Sequence, residues 1–319
     1  MLSHRIYYSL KPYLPWRLRM QVRRMIASRL RRKHSANWPV DFQAAQHPPH
    51  WPGWPDGKRF ALVLTHDVES SVGLAKCEAL ARIEQERGFR STFNFIPEGP
   101  YTVSTELISS LRGAGFEIGV HDLKHDGWLY RSREMFSNHA RQINRYLKTW
   151  GARGFRSGFM LRNLEWLHQL DIHYDASTFD TDPFEPQSDG VRTIFPFWVK
   201  APPGPTANGR DGYVELPYTL PQDSTLFLLL QETTPEIWLR KLDWIARHGG
   251  MALVNVHPDY VQLDGEPSSP KTFPVRHYLQ FLDHVLAEHR NQYWQPLAGE
   301  LANFVYSIRQ SDEPLSSPV

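Results

Sequence analysis

The chain has 319 residues, of which 41% are hydrophobic, 13% aromatic and 22% charged; that is ample material for a core and excludes global disorder. No apolar run approaches the roughly 18–20 residues that span a bilayer, and the single cysteine, Cys77, rules out an intrachain disulfide and any cysteine-based zinc site. The net charge of +2 hides an asymmetry: residues 1–33 carry ten Lys and Arg and no acid, while the rest carries 26 Lys and Arg against 34 Asp and Glu.

Residues 5–32 read as a helix interrupted near Pro12 and Pro15, with Leu18, Met20, Val22, Met25, Ile26 and Leu30 set among Arg17, Arg19, Arg23, Arg24, Arg29, Arg31 and Arg32. The segment lacks the continuous apolar stretch and small-residue cleavage site of a secretory signal. It fits a helix lying on an anionic membrane surface through residues 1–33, with Tyr7, Tyr8, Tyr13 and Trp16 at headgroup level. The alternative is a basic helix packed on the acidic body. No nucleic-acid-binding module follows it, so nucleic acid is not an expected partner. The expected location is cytoplasmic, peripheral on the inner face of the membrane. The expected organisation is a basic amphipathic segment (1–35), a Pro/Trp-rich linker (36–57), one folded domain (58–310) and a flexible tail (311–319).

From residue 60 onward, strand-like and helix-like runs alternate. The strands are FALVLT (60–65), STFNFI (91–96), FEIGV (116–120), GFRS (154–157), IHYDAS (172–177), YVELP (213–217) and MALVNV (251–256). Helical patterns cover 72–87, 104–112, 132–149, 235–248 and 274–289. Such alternation predicts a mostly parallel sheet, and six or seven units in this length fit a barrel better than an open sheet.

In α/β barrels the chemistry sits at the C-terminal ends of the strands. Those addresses hold Asp67 and Glu69 after the first strand, His121 and His125 after the third, Arg156 to Phe159 after the fourth, Asp175 after the fifth, and Asn255, His257 and Asp259 after the last. These residue types suit a metal held by His and carboxylates, with acid–base helpers. The His121/His125 spacing carries little alone, since 15 histidines make one such pair by chance; its position after an apolar strand gives it weight. His66 points to the opposite face if the pleat continues.

Together, LTHDVE, EIGVHDLKHDG, GFRSGFM, YDASTFDTD and ALVNVHPDY resemble, in order, the motifs of the polysaccharide deacetylase (NodB-like carbohydrate esterase) family. The departures are Glu69 where that family has Asp, and Gly158 and Phe159 where it has Pro and Tyr. The resemblance spans about residues 58–290. It implies a distorted (β/α) barrel with about seven strands, and Zn2+ or another divalent transition metal on Glu69, His121 and His125, with Asp67 as the other candidate carboxylate ligand. It further implies Asp67 as base, held ionised by Arg156, His257 as acid, oriented by Asp175, and the backbone N–H of Phe159 at the oxyanion.

That assignment fits removal of an N-acyl group, acetyl or formyl, from a sugar of a surface-polysaccharide or lipid-linked glycan precursor. Trp128, Tyr130, Trp198 and Tyr260 are candidate platforms for a sugar, and Asp223 is a candidate for facing the substrate. The polar loop 202–211 is a candidate lid or a mobile insertion. The competing readings are an allantoinase-like hydrolase of a small amide and a non-catalytic carbohydrate-binding protein on the same fold.

Overall fold

The computed structural model describes residues 16–312. The basic segment forms helix α1 (Trp16–Lys33); Tyr7, Tyr8, Pro12, Tyr13 and Pro15 lie outside the described residues, as does most of the tail. Strand β1 (Phe60–Val68) is buried throughout because it has partners along both edges. Its C-terminal half pairs with β2 (Thr92–Phe95), and its middle pairs with β8 (Met251–Asn255), both in parallel. From β2 the parallel order continues through β3 (Glu117–His121), β4 (Gly154–Arg156), β5 (Tyr174–Asp175) and β7 (Gly212–Glu215). The short strand β6 (Phe197–Lys200) adds to β7 in the antiparallel sense.

No ladder joins β7 to β8. Instead the chain after β7 leans on β8, where the Thr219 and Leu220 N–H groups both donate to Leu253 O at 3.1 Å. The seven principal parallel strands therefore form a curled, distorted (β/α) barrel, as expected. Helices α2 (Cys77–Glu86), α3 (Thr105–Gly113), α4 (Arg133–Trp150), α5 (Glu236–His248) and α6 (Arg276–Glu288) make the crossovers and flank the sheet. Covered on both faces, β1 and β8 read as nearly continuous apolar runs rather than alternating ones. Ser104 and Ser132 start α3 and α4 by accepting from the N–H groups of Leu107 and Met135.

The sequence pattern missed several pieces. The two-residue strands β9 (Val261–Gln262), β10 (Phe273–Pro274) and β11 (Tyr293–Trp294) are too short to show a period. The last helix, α7 (Ala298–Asp312), was also missed; it buries Ala298, Leu301 and Ala302 against the sheet. Residues 36–57, expected to be a linker, belong to the body. Trp38, Ala44 and Trp54 are buried in the main core, and the Trp54 indole donates to Gly249 O at 2.7 Å, just before β8. No helix among the described residues is long and apolar enough to cross a membrane.

Candidate active site

The pleat of β1 divides its polar residues. His66 turns outward and is fully committed, with Nδ1 on Val256 O (2.8 Å) and Nε2 on Glu84 Oε1 of α2 (2.7 Å). Asp67, one position on, faces inward, as the period of two requires. Its Oδ1 accepts from Asn94 Nδ2 at 2.9 Å, its Oδ2 accepts from Asn255 Nδ2 at 2.8 Å, and Arg156 Nη1 lies 3.5 Å from Oδ2. Burial opposes a charge here, but the Arg156 guanidinium, with His121 and His257, outweighs it and holds the carboxyl at about 2. Asp67 is an ionised, oriented carboxylate. Gly119 makes room for this network, because a Cβ there would lie 2.1 Å from Asn94 Oδ1.

Beside it, Glu69, His121 and His125 offer ligand atoms that all lie within 4.8 Å of one another. His121 ends β3, and its Nδ1 meets Arg156 O at 3.1 Å, which aims Nε2 into the site. That Nε2 is buried and has no hydrogen-bond partner. His125 Nε2 is likewise buried, with Glu69 Oε1 3.3 Å away in an ion pair. Glu69 is held ionised well below the carboxylate range, because His125 outweighs the burial penalty. Its Oε2 accepts from the Tyr260 hydroxyl, and its N–H donates to Asp259 Oδ2 at 2.8 Å. Two aimed, buried imidazole nitrogens facing one carboxylate fit the donor set of a three-ligand divalent site with open positions. His121 and Glu69 are each also fixed by a further hydrogen-bond partner, as such sites require. Glu69, not Asp67, is the carboxylate that converges with both imidazoles.

The opposite wall carries His257. Its Nδ1 is 2.6 Å from Asp223 Oδ1, and its N–H donates to Asp223 Oδ2 at 2.7 Å. Burial disfavours the imidazolium, but the Asp223 carboxylate outweighs it and lifts the group to about 10. His257 Nε2 then faces the site, 3.9 Å from Glu69 Oε1. A protonated imidazole and an ionised carboxylate thus lie on opposite sides of the Glu69/His121/His125 group, the pairing that acid–base hydrolysis needs.

No family model matches this sequence, and no curated protein does. Among solved structures, one from Mycobacterium smegmatis assigned as a polysaccharide deacetylase aligns with a TM-score of 0.58 at 20% identity, covering 86% of this chain and 99% of its own. The chain has the polysaccharide-deacetylase fold. A peptidoglycan deacetylase from Bacillus subtilis aligns more loosely (TM-score 0.43, 13% identity, 82% and 96% of the two chains). So does a family 4 carbohydrate esterase from Streptomyces lividans (0.43, 11%, 72% and 90%).

Within this deacetylase fold, several expected roles move. Asp175 does not orient His257. It sits on β5 in register with Glu215 of β7, and Ser177 donates to both its oxygens. Burial pushes its carboxyl up. Asp223, expected to face the substrate, is itself fully buried and orients His257. Trp128 is exposed, with the Arg131 guanidinium 4.3 Å over its ring. Tyr130 packs on Phe136 and bonds Ser157, Trp198 lies under Arg309, and Tyr260 holds Glu69. The loop 202–211 is no lid: its Asn208 donates to Ile172 O and Gly212 O, at the starts of β5 and β7, opposite the strand ends that carry the site.

The loop departures have a local reason. Phe159 stands at φ 56° and stacks on His125 with ring centroids 4.3 Å apart. A Cβ on Gly158 would meet Asp122 Oδ2 at 2.6 Å and His125 Cδ2 at 2.8 Å, so glycine lets the two loops close. Asp122 (φ 58°) and His125 (φ 53°) share this left-handed backbone, a strain that functional loops commonly store. Sequence reasoning missed Asn94; its signal was a lone amide inside an apolar strand.

Proposed function

We propose that the chain is a metal-dependent hydrolase that removes an N-acyl group, acetyl or formyl, from a sugar of a surface-polysaccharide or lipid-linked glycan precursor. The observation that carries this is the convergence of the buried Nε2 atoms of His121 and His125 on Glu69, that of His121 without a partner, beside an ionised Asp67. Glu69, His121 and His125 would hold the divalent ion, Zn2+ or another transition metal. When bound, such an ion supplies an acidified water and polarises the amide oxygen.

This chain's own residues do the remaining work. Asn94, Asn255 and Arg156 fix both oxygens of Asp67, so the carboxylate takes a proton from the attacking water without turning. As the C–N bond breaks, His257 Nε2 gives its proton to the leaving nitrogen, and Asp223 stabilises and aligns the imidazole throughout. The Phe159 N–H is assigned to the growing oxyanion, a role that needs no particular side chain. The products are a free amine and acetate or formate.

The test is release of acetate or formate from N-acetyl and N-formyl amino sugars, free and lipid-linked, before and after chelation. Chelator-sensitive release supports the reading. Turnover that survives complete metal removal, or its absence on every acylated sugar with metal supplied, counts against it.

A further inference from the structure

Helix α1 (Trp16–Lys33) carries eight Arg and Lys and no acid. One side is seated on the body: Met20 and Ala27 are buried, and Arg24 Nη2 donates to Leu228 O at 3.0 Å. Arg31 bonds Glu232 Oε1 at 2.5 Å. The opposite side shows Leu18 (47% exposed), Val22 (43%), Met25 (53%) and Ile26 (49%). These four recur at i, i+4, i+7 and i+8, so they form one stripe facing away from the protein. Among the described residues, nothing covers it. Arg29, Arg32 and Lys33, all exposed, continue the same outward side toward the helix end.

We infer that this stripe is a docking face for an anionic lipid surface. An outward apolar stripe on an otherwise polar helix runs against the usual placement, in which the apolar side faces the core. Here the core-facing side is already occupied, so the helix is two-sided by construction. Its outer side pairs apolar side chains with cations long enough to reach headgroups, the composition of a helix lying in a membrane interface. A second copy of the chain is the poorer occupant, since it would press a second acid-free cationic helix against the first.

The seat of α1 gives the docking a consequence. The π-helical turn beneath it, Ser224–Leu229, is capped by Asp223, which holds His257. Burial raises the Glu185 carboxyl, and Arg23 of α1 is near enough to oppose that rise; Glu185 accepts from Gln222 at 2.6 Å, and Gln222 in turn accepts from Asn255, which also donates to Asp67. A bilayer on the outer side of α1 therefore lies alongside the catalytic end of the barrel, where a lipid-linked sugar would present itself.

Co-sedimentation of the full chain with phosphatidylglycerol/phosphatidylcholine vesicles and with phosphatidylcholine vesicles alone tests this. Partitioning should favour the anionic vesicles at least tenfold and fall as salt is raised. Met25→Glu with Ile26→Glu should lower it at least tenfold, while far-UV circular dichroism and turnover of a water-soluble substrate stay at wild-type levels. Arg29→Gln, Arg32→Gln and Lys33→Gln together should weaken binding and flatten its salt dependence. His125→Ala should partition like wild type, so failure of the hydrolase reading would leave the docking result standing. Equal partitioning to both vesicles, or none, overturns the inference. So does a wild-type dimer that the Met25/Ile26 variant splits while vesicle binding is unchanged.

Discussion

Two groups of one carboxylate and two imidazoles occur among the described residues, and they differ in what their nitrogens do. In Asp243, His284 and His289, between α5 and the C-terminal end of α6, both Nε2 atoms sit 2.8 Å from the same oxygen, Asp243 Oδ1. In Glu69, His121 and His125, the His121 Nε2 is buried without a partner and the His125 Nε2 has only the Glu69 oxygen, 3.3 Å away. Composition and compactness are alike, so neither identifies a site. Hydrogen-bond satisfaction separates them: the first group is a closed polar contact between helices, the second an open donor set at the strand ends. Unmet buried nitrogens occur elsewhere too, at His168 and His277 for example, but at His121 the unmet atom converges with a second imidazole and a carboxylate, where a bound ion would meet it.

The sharpest way to break this contrast is to remove one imidazole from each group. His121→Ala or His125→Ala should abolish stoichiometric divalent metal, read by elemental analysis of protein purified without a polyhistidine tag. It should also cost several kcal/mol of transition-state stabilisation, roughly 10³-fold or more in kcat/KM. His284→Ala should leave both quantities unchanged. Metal lost from the His284 variant would make the outer group the true site.

Next in size are the two groups proposed to carry protons. His257→Ala should slow turnover of an unactivated amide by about 10²–10⁴-fold with the metal retained. Asp67→Asn should do the same to activity and also keep the metal, whereas Glu69→Gln should lose it. The reverse pattern would make Asp67 the ligand. Asp223→Asn should fall between wild type and His257→Ala, because it leaves the imidazole in place but removes the carboxylate that keeps it protonated and aligned. An Asp175→Asn variant that instead matched His257→Ala would overturn the assignment of Asp223.

The smallest effect belongs to the closed group. Burial would raise the Asp243 carboxyl, yet the bonds from His284 and His289 outweigh it and hold it below its ordinary 3.8. A carboxyl lowered on folding contributes stability above its unfolded pKa and loses it as pH falls through the folded value. Asp243→Asn should therefore lower stability near pH 6 by under about 1 kcal/mol, as expected of a partly exposed pair. The difference should close in acid below the carboxylate range; urea midpoints at both pH values would show it.

Much of this was legible in the residues themselves. Strands β1, β3 and β8 announced themselves as apolar runs because both faces of each are covered, and Asp67, Glu69, His121, His125, Arg156 and His257 stood out as polar residues at or just past strand ends. The turn of His66 away from the site followed from pleat parity alone. These are properties of the local chain, set by period and position.

What the local chain could not decide was which strand ends meet. Asp175 and Asp223 are equivalent in sequence, each a carboxylate near the end of an apolar stretch. Pairing β5 between β4 and β7 sets Asp175 against Glu215, while the chain after β7 folds onto β8 through Thr219 and Leu220 and delivers Asp223 to His257. The outward stripe of α1 has the same origin. Its amphipathic spacing was written in the sequence, but which side faces water depended on Met20, Ala27 and Arg24 finding a seat on a segment some 200 residues away. Periodicity is a short-range property of one chain segment, and contact between distant segments exists only once the barrel has curled.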